Sequence, residues 1–560
     1  MTLALRQRRI GWLLLLFGAL LAFGALRTLQ LTTVDSAHLS RLANSEHTET
    51  ITVPAPRGTI TDRNGAILAS DENADDISVT PRLVRDPQAV AERLAPLIGV
   101  SAATIENDIL HPASLDYELL ARSIPAATAQ RVAALKIPGL ALTSDPLRVY
   151  PFNDLAAQVL GGVGVGGVGL SGVELAYNRQ LAGTAGVQHV VFDAHGQPIA
   201  CTGDCSTPRA GKSVQLTLDA GLQQWVEHVL DQTAGEFHPL DETAIVMDPQ
   251  DNSILAMANW PRVDANNPSA VGLASNYAVE LNYEPGSTFK VVAIGGALSD
   301  GLISPTTEFT VPDCIQVANY CIHDSDDHPT EQLQTQQILA QSSNVGAIEI
   351  AEKLQQESSS TNEMYNWMLR YGFGAPTGID LPTGGNAGQV PPPATWSGST
   401  IGNLPIGQGV SVTPIQMLDA YAAIANGGIL RAPHIVQSVG GVPVRVPAGH
   451  RILSEQVAGE LRSMLEGVLL PGGTASEIQI PGYTLAGKTG TANKVVDGRY
   501  SDKDYYASFV GFAPAQDPKV EALVLVDTPS TGYVYGTEVA APAWKEIMNF
   551  ALNYLKIPPG

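Results

Sequence analysis

Charged residues are scarce in this sequence, and basic ones are scarcer than acidic ones. Only 16% of the 560 residues are charged, and 32 Lys and Arg stand against 55 Asp and Glu, which gives a net charge of -23. Phosphate binding relies on clustered Lys and Arg, so this balance argues against a nucleic-acid partner. Hydrophobic residues make up 44% of the chain, which argues against disorder. A folded chain of this length exceeds one ordinary hydrophobic core, and we expect two or more domains.

Cysteine is rare as well, and its four copies form two close pairs, Cys201 with Cys205 and Cys314 with Cys321. In a chain exported to an oxidising compartment, such pairing predicts two small local disulfides. Two alternatives stay open, namely free buried thiols and, for the second pair, a metal site. The side chains that would complete a metal site are His323, His328, Asp324, Asp326 and Asp327. The spacing matches no standard zinc template, so we expect neither a metal nor a cofactor.

Long uncharged apolar runs are lacking, with one exception near the amino terminus. Residues 10–26 follow three arginines and come near the lower length limit for a helix that crosses a bilayer. A cleaved signal peptide is the alternative, but no small-x-small cleavage site is evident before Arg27, so an uncleaved anchor is favoured. A basic flank stays inside, so residues 1–9 are predicted to be a cytoplasmic tail. We therefore expect a single-pass protein of the plasma (inner) membrane with everything after the anchor on the outer side.

The pattern of apolar segments and turns changes along the chain after the anchor, and this change predicts two domains. From 27 to 235, short apolar segments alternate with turns, which predicts a β-rich domain that ends where Asp219 caps a helix from about 220 to 233. From 236 to 560, strands are expected at both ends with helices between them, which is an α+β arrangement. The strands predicted for this second domain are 244–247, 253–258, 505–512 and 520–527.

Ser287 and Lys290 form an S-x-x-K motif at the start of a helical-looking segment. Residues three apart at the start of a helix face the same way. A serine hydroxyl becomes a nucleophile when a base takes its proton, and an unprotonated lysine can be that base if burial or nearby positive charge lowers its pKa. Backbone N–H groups at the helix start could stabilise an oxyanion. Taken alone, the motif also fits a capping serine beside a solvated lysine.

Ser342 and Asn344 form an S-x-N motif at the start of another predicted helix. The serine could relay protons between the lysine and a leaving group. The asparagine amide could hydrogen-bond both a substrate amide and the lysine. By itself this motif is also compatible with a helix cap.

Lys488, Thr489 and Gly490 form a K-T-G motif on a strand predicted to begin near Tyr483. An exposed strand edge can bind an extended peptide by main-chain pairing, and glycine lets that backbone approach closely. We expect Lys488 to supply the positive charge that lowers the pKa of Lys290 and attracts a substrate carboxylate.

The three motifs, in this order and on these elements, are the signature set shared by penicillin-binding proteins and class A β-lactamases. The sequence resembles the class B penicillin-binding proteins, the peptidoglycan D,D-transpeptidases, over most of its length. Further segments that resemble the family are Arg-Gly-Thr-Ile-Thr-Asp-Arg-Asn-Gly at 57–65, Gly-Leu-Ser-Gly-Val-Glu at 169–174, Leu-Ala-Gly at 181–183, Gly-Gln-Gly at 407–409, Val-Thr-Pro at 412–414, Ala-Ser-Phe-Val-Gly-Phe at 507–512 and Lys-Ile-Pro-Pro at 556–559.

The resemblance implies a fold and a reaction. The expected fold is α+β, with a single N-terminal transmembrane helix, a β-rich pedestal (dimerisation-type) domain and a penicillin-binding/β-lactamase-like transpeptidase domain whose central antiparallel sheet is flanked by helices. Ser287 would attack the D-Ala–D-Ala bond of a stem peptide, and an amino group of a neighbouring stem peptide would then take the acyl chain. β-Lactams would acylate the same serine, because they resemble that dipeptide.

The resemblance also assigns roles. The implied catalytic residues are Ser287, Lys290, Ser342 and Asn344, and the implied substrate-binding residues are Lys488, Thr489, Gly490 and Thr491. Lys290 would be the base, Lys488 and Thr489 would bind the carboxylate, and the N–H groups of Ser287 and Thr491 would form the oxyanion hole. No glycosyltransferase module fits before the pedestal, so the implied partner is a SEDS-type membrane glycosyltransferase within a division or elongation complex. The family pattern favours the septal over the elongation type.

Three other functions compete with the transpeptidase: a hydrolase, a scaffold without catalysis and a β-lactam sensor. A D,D-carboxypeptidase or β-lactamase-like hydrolase would pass the acyl group to water, but such enzymes need neither a pedestal nor an anchor. A scaffold that has lost catalysis is disfavoured because all three motifs are intact. A β-lactam sensor would need further membrane spans and an output domain that this sequence does not have.

Overall fold

The structure is a computed structural model that describes residues 3–37, 48–192, 198–201, 205–271, 274–358, 362–382 and 385–559. The chain divides into two compact units, each assembled from several segments. The first unit comprises 1–56, 72–147 and 184–210, and the second comprises 57–71, 148–183 and 211–560. The second unit contains all three motifs.

Helices occur in both units. They are α1 (Leu3–Leu29), α2 (Pro87–Ile98), α3 (Ala102–Leu110), α4 (Ala126–Ala133), α5 (Ala157–Leu160), α6 (Gly172–Ala176), α7 (Asn178–Leu181), α8 (Ala220–Phe237), α9 (Pro268–Val271), α10 (Tyr277–Glu280), α11 (Lys290–Ser299), α12 (Thr335–Ala340), α13 (Asn344–Glu357), α14 (Glu363–Arg370), α15 (Thr400–Asn403), α16 (Pro414–Ala425), α17 (Glu455–Gly467) and α18 (Ala540–Tyr554). Short 3₁₀ turns add Pro81–Leu83, Gly286–Phe289, Pro393–Thr395 and Leu404–Ile406.

Strands pair mostly with antiparallel neighbours. They are β1 (Thr48–Val53), β2 (Ile60–Thr61), β3 (Ile67–Glu72), β4 (Ala74–Val79), β5 (Glu118–Pro125), β6 (Leu140–Ser144), β7 (Leu147–Val149), β8 (Gly186–Phe192), β9 (Pro198–Cys201), β10 (Val214–Leu216), β11 (Asp241–Asp248), β12 (Ser253–Trp260), β13 (Glu308–Val311), β14 (Cys314–Val317), β15 (Tyr320–His323), β16 (Glu331–Gln334), β17 (Ile429–Leu430), β18 (Val436–Val439), β19 (Val442–Pro443), β20 (His450–Arg451), β21 (Ala486–Val496), β22 (Arg499–Ala513) and β23 (Val520–Asp527).

An apolar helix opens the described chain, as the sequence predicted. Helix α1 continues into a π-helical turn at Gln30–Val34. The stretch Arg8–Val34 has a mean hydropathy of 2.0 and none of its most apolar window is buried. Among the described residues it is the one helix whose length and composition suit a membrane span. It extends beyond the predicted run of 10–26 at both ends.

The first unit contains two small sheets, with strand orders β1-β8-β9 and β5-β4-β6. Strand β4 lies at the centre of the second sheet, where Ile77 and Val79 are buried. They pack with Leu94 of α2, Ile105 of α3 and Val132 of α4 in one apolar core. The first unit therefore combines sheet and helix, and helices cover one of its two sheets.

The second unit is organised around a five-stranded antiparallel sheet with the order β12-β11-β23-β22-β21. Successive side chains of a strand point to opposite faces. Ala244 and Val246 of β11 accordingly pack into one apolar core, together with Trp544 of α18. Ile245 and Met247 of the same strand pack into the other core, which holds the helices that carry the first two motifs. The predicted central antiparallel sheet flanked by helices is confirmed.

Four strands of this sheet lie where the sequence predicted them. Strands β11, β12, β22 and β23 include the four segments predicted from the sequence. Asp219 precedes α8, and its side chain accepts hydrogen bonds from the N–H groups of Gly221 and Leu222, as expected of an N-cap. A short polar side chain before an apolar-periodic segment was therefore a sufficient signal for this helix start.

Two segments singled out in the sequence meet in a buried ion-pair cluster of the second unit. Arg57 donates from Nε to Glu174 Oε2 at 2.6 Å, and the two side chains are 4% and 0% exposed. Arg148 donates to the other oxygen of Glu174 at 2.7 Å and also to Asp71 at 3.0 Å. Buried charges persist when each is paired and hydrogen-bonded, and both oxygens of Glu174 meet that condition.

Removing Glu174 should therefore be costly. Glu174→Ala leaves two arginines buried with one acid between them, and we expect the free energy of unfolding to fall by about 3–5 kcal/mol. Urea unfolding of the full chain in detergent, followed by tryptophan fluorescence, measures the loss. The matched control is Asp116→Ala, which removes an ion pair between side chains that are 64% and 67% exposed and should change little. Equal losses in the two variants would contradict the account of the cluster.

Candidate active site

Ser287 lies in the 3₁₀ turn Gly286–Phe289, directly before α11. The turn is held by Thr288, which donates to the Pro285 carbonyl at 2.8 Å, and by Tyr421, whose hydroxyl donates to the Thr288 carbonyl at 2.9 Å. Gly286 has φ +58°, in the left-handed region that favours glycine. Ser287 itself is half-buried, and within the described chain its hydroxyl forms no hydrogen bond. The hydroxyl is thus oriented by the backbone and not engaged by a neighbour.

Lys290, the first residue of α11, is completely buried. Its Nζ donates to Asn344 Oδ1 at 2.8 Å, to Ser342 Oγ at 3.2 Å and to the Ser342 backbone carbonyl. The first two motifs, which are 52 residues apart, therefore meet at this amine. No hydrogen bond joins Lys290 to Ser287 among the described residues, so the amine faces the second motif.

Ser342 lies between two lysines. Its Oγ accepts a hydrogen bond from Lys488 Nζ at 2.9 Å as well as the one from Lys290. Its φ is +61°, a left-handed conformation that few non-glycine residues adopt, and such residues concentrate at functional sites. The unusual backbone angle places a hydroxyl where it can exchange a proton with either amine.

Lys488 lies on β21, the edge strand of the central sheet, and is also completely buried. Its Nζ contacts both the backbone oxygen and Oγ1 of Thr489 at 3.3 Å. β21 is an edge strand, as the sequence predicted, and the pairing of a peptide with this edge stays a prediction. The side chains of Lys488 and Thr489 on this strand are buried. Thr489 is only 7% exposed, because the turn that carries Ser287 packs beside the strand.

The glycines show how closely the strand and the turn approach. A Cβ on Gly490 would lie 2.8 Å from the Pro285 carbonyl oxygen and 2.4 Å from Ser508 Oγ. A Cβ on Gly286 would lie 2.7 Å from the Thr491 carbonyl oxygen and 3.3 Å from its nitrogen. Gly490 thus permits a close approach, as predicted, although the chain that approaches is the protein's own. The contact also places the backbone of Thr491 next to the Ser287 turn, as the implied oxyanion hole requires.

Burial sets the protonation of both amines. It lowers the pKa of Lys290 to about 7, against the attraction of Asp324, which raises it. Burial, and after it the charge of Lys290, lowers the pKa of Lys488 well below its usual range. Removal from water is the main cause of both shifts, and the repulsion between two protonated amines would act on both. The expectation that Lys488 lowers the pKa of Lys290 therefore stays a prediction.

This arrangement suits acyl transfer. A neutral lysine amine has two hydrogens and one lone pair. If Lys290 gives its hydrogens to the Ser342 carbonyl and to Asn344 Oδ1, its lone pair is left to receive a proton from a serine hydroxyl. With a pKa of about 7, a large fraction of this amine is neutral at physiological pH. The site therefore contains Lys290, which can act as a base, Ser342, which can relay a proton, and Ser287, whose hydroxyl forms no hydrogen bond within the described chain.

Sequence reasoning missed the role of Asp324, which it offered only as a possible metal ligand. Its carboxylate accepts hydrogen bonds from the N–H groups of Asn344 and Val345 at the start of α13, and from the hydroxyl of Ser343. Asp324 therefore caps the helix of the second motif. A capping residue about 20 residues upstream leaves no local pattern, so no sequence signal could have found it.

The cysteine predictions have different outcomes. Cys314 and Cys321 form a disulfide, so the predicted pairing is confirmed for the second pair. Their sulfurs lie near His323, but the bond between them leaves no thiolates to bind a metal. In the first pair, the side chain of Cys201 lies outside the described residues, and that disulfide remains a prediction.

Comparisons with known proteins agree with this geometry. Residues 242–549 match the penicillin binding protein transpeptidase domain, and residues 52–216 match the penicillin-binding protein dimerisation domain. Stage V sporulation protein D of Bacillus subtilis (strain 168) is 32% identical over 537 residues, which cover 93% of this chain and 82% of that protein. Peptidoglycan D,D-transpeptidase FtsI of Escherichia coli (strain K12) is 30% identical over 516 residues, 90% of this chain and 85% of that protein.

A solved structure extends the likeness to three dimensions. The crystal structure of penicillin-binding protein 3 from Mycobacterium tuberculosis, complexed with aztreonam, superposes with a TM-score of 0.70 at 29% identity. The match covers 91% of this chain and 98% of that chain. The chain therefore belongs to the penicillin-binding proteins, in class B, whose members carry a dimerisation domain before the transpeptidase domain. The resemblance and fold class predicted from the sequence are confirmed.

The buried amine of Lys290 should be visible in the pH dependence of stability. With a pKa near 7 when folded and 10.5 when unfolded, Lys290 costs the fold most below pH 7, and the cost declines as pH rises toward 10.5. Lys290→Met removes this cost. The stability that the variant gains over the wild type should be roughly 3 kcal/mol larger at pH 6 than at pH 9.

The measurement is the free energy of unfolding of both proteins at the two pH values. The exposed Lys503 provides the control, because Lys503→Met should give the same difference from wild type at both. A Lys290→Met difference that does not change with pH would show that the amine is not held with a lowered pKa.

Proposed function

We propose that this protein is a serine D,D-transpeptidase that cross-links peptidoglycan stem peptides through an acyl-enzyme on Ser287. The observation that carries the proposal is the single hydrogen-bonded network in which Lys290, Ser342, Asn344 and Lys488 converge beside that serine. The relatives support the substrate class, because FtsI is named a peptidoglycan D,D-transpeptidase and penicillin-binding protein 3 was crystallised with the β-lactam aztreonam.

The proposed reaction has two steps. Ser287 Oγ attacks the carbonyl of the penultimate D-Ala and passes its proton to Lys290 Nζ, and the terminal D-Ala leaves with a proton returned through Ser342. The amino group of a neighbouring stem peptide then attacks the ester, forms the cross-linking amide and releases Ser287. β-Lactams acylate the same atom, and because the opened ring keeps its leaving amine attached to the acyl chain, nothing departs to make room for the acceptor.

The remaining residues of the site are proposed to bind the substrate. Lys488 and Thr489 lie together on β21 and are suited to a terminal carboxylate. The N–H groups of Ser287 and Thr491 form the oxyanion hole, and Gly490 keeps the strand close to the turn. Asn344 holds Lys290 and binds the substrate amide.

The location and partners of the protein are also proposals. Residues 1–9 form a cytoplasmic tail, 10–26 the membrane anchor, 27–235 the pedestal and 236–560 the transpeptidase domain. The catalytic domain then lies outside the plasma (inner) membrane. This layout is supported by the apolar N-terminal helix and by the two matched domains.

A SEDS-type membrane glycosyltransferase is the proposed partner, because cross-linking acts on the stem peptides of glycan strands that a polymerase must supply. The proposed setting is septal wall synthesis, which the likeness to FtsI supports. In the native host, a fluorescently tagged copy should concentrate at the division site. A signal spread evenly along the lateral wall would contradict the septal role.

Acylation tests the central proposal directly. The full chain in detergent, incubated with a penicillin, should gain the mass of one drug molecule by intact-protein mass spectrometry, and Ser287→Ala should gain none. Ser299→Ala, at the end of the helix that follows Ser287, is the matched control and should be labelled like the wild type. Labelled Ser287→Ala protein, or an unlabelled but folded wild type, would refute the assignment. An adduct lost within minutes would favour the hydrolase.

A further inference from the structure

A disulfide-closed hairpin lies against the second motif. Strands β14 and β15 pair antiparallel, with Ile315 opposite Ile322 and Val317 opposite Tyr320, and the Cys314–Cys321 disulfide joins them. The chain then runs through His323 to Asp324, two and three residues beyond the second cysteine. The disulfide therefore restrains the segment that delivers these two residues to α13.

An apolar cluster fixes the hairpin to the helix that carries the second motif. Val317 packs with Ile348 of α13 and with Ile406, and all three are at least nine-tenths buried. Ile315 and Ile322 add to this cluster, and Ile315 also packs against one of the main cores of the unit. The hairpin consequently has a defined position on α13, set by packing on one side and by the disulfide on the other.

The last residue of the hairpin, His323, and the residue after it, Asp324, fix the orientation of Asn344. Its backbone N–H donates to Asp324, and its Nδ2 donates to the His323 carbonyl oxygen at 3.0 Å. The amide oxygen is thereby turned to Lys290, from which it accepts at 2.8 Å. A flipped amide would direct its NH₂ group at the lysine and lose both interactions.

The carboxylate of Asp324 has a second effect, because it brings a negative charge close to the buried amine. It opposes burial and raises the pKa of Lys290. The other ionisable groups that face this pair are Lys488, next to Lys290, and His328, whose Nε2 lies 3.2 Å from Asp324 Oδ2. The pKa of His328 is raised, first by its hydrogen bond with the Pro329 carbonyl and further by Asp324 and Glu331.

We propose that Asp324, presented by the disulfide-closed hairpin, is a positioning residue that orients Asn344 and sets the protonation of Lys290 for acylation. The proposal rests on the proposed function of Ser287 and Lys290 and adds a residue outside the three motifs. The hydrogen bonds of Asp324 go to Ser343, Asn344 and Val345, so its proposed role is indirect. It acts through the start of α13, and its negative charge keeps Lys290 from losing its proton at too low a pH.

Two substitutions separate the two effects. Asp324→Asn keeps an oxygen that accepts from the N–H groups of α13 but removes the charge. The rate constant for acylation by a fluorescent penicillin, measured against pH, should then begin its rise at lower pH than in the wild type, because Lys290 is neutral at lower pH. Asp324→Ala removes the cap in addition to the charge. Its rate constant should therefore lie roughly tenfold or more below that of Asp324→Asn at every pH, which corresponds to about 1.4 kcal/mol.

The disulfide has its own test. A double variant, Cys314→Ser with Cys321→Ser, keeps Asp324 but frees the hairpin. We expect a severalfold lower acylation rate with the same pH dependence as the wild type. The matched control is Cys201→Ser with Cys205→Ser, which removes the other cysteine pair and should leave the rate unchanged. Equal effects of the two pairs would overturn the role given to the hairpin.

A purely structural cap would lower the melting temperature of the Asp324 variants without moving the pH profile of Asp324→Asn. That outcome would overturn the proposal, as would a profile that moves in His328→Gln and not in Asp324→Asn. A second readout does not depend on acylation. NMR titration of the lysine side chains, with Lys290 identified by the signal missing in Lys290→Met, should show a lower pKa in Asp324→Asn. If the wild type is not acylated, the proposed function fails, and this titration still decides the present inference.

Discussion

Two lysine side chains are removed from water within one small space, and the organisation of the second unit follows from that constraint. An ammonium group buried without a partner is so unfavourable that it loses its proton instead. Lys290 and Lys488 cannot both hold a proton here at a reasonable cost, so at least one amine is neutral and able to accept one. The neutral amine needed at the site is therefore a product of packing, and it is maintained by every element that keeps water out.

The surrounding contacts hold the two amines in place and keep water away from them. Ser342 adopts a left-handed backbone conformation that brings its hydroxyl between them, and Asn344 supplies an oxygen to Lys290. The turn of Ser287 packs on the edge strand closely enough that Gly286 and Gly490 have no room for a side chain. Tight packing of this kind excludes water and strengthens each polar contact that remains. The same tight packing therefore makes a charge on either amine unfavourable and holds the site in one geometry.

Much of this was predictable from the sequence, and the failures have physical causes. Apolar runs and turn residues predicted β11, β12, β22 and β23, because strands buried in a sheet reveal themselves locally. The three motifs could be recognised as parts of one site, because the same residue types occur in the same order in penicillin-binding proteins and class A β-lactamases. The burial of Lys488 and Thr489 was not predicted, since it depends on which turn packs beside the edge strand. The role of Asp324 was missed for a related reason, because it caps a helix from a distant segment.

The order of the strands has a consequence for how the protein is made. Strand β11 pairs with β23 through Ala244 and Val524, and Ser342 reaches Lys488 across 146 residues of sequence. Contacts between residues so far apart in the chain form late and slowly. A growing chain that has released its first and second motifs still lacks β21, β22 and β23, and its Lys290 remains hydrated and protonated. Reactivity therefore appears only after almost the whole polypeptide has emerged, and incomplete chains are chemically silent.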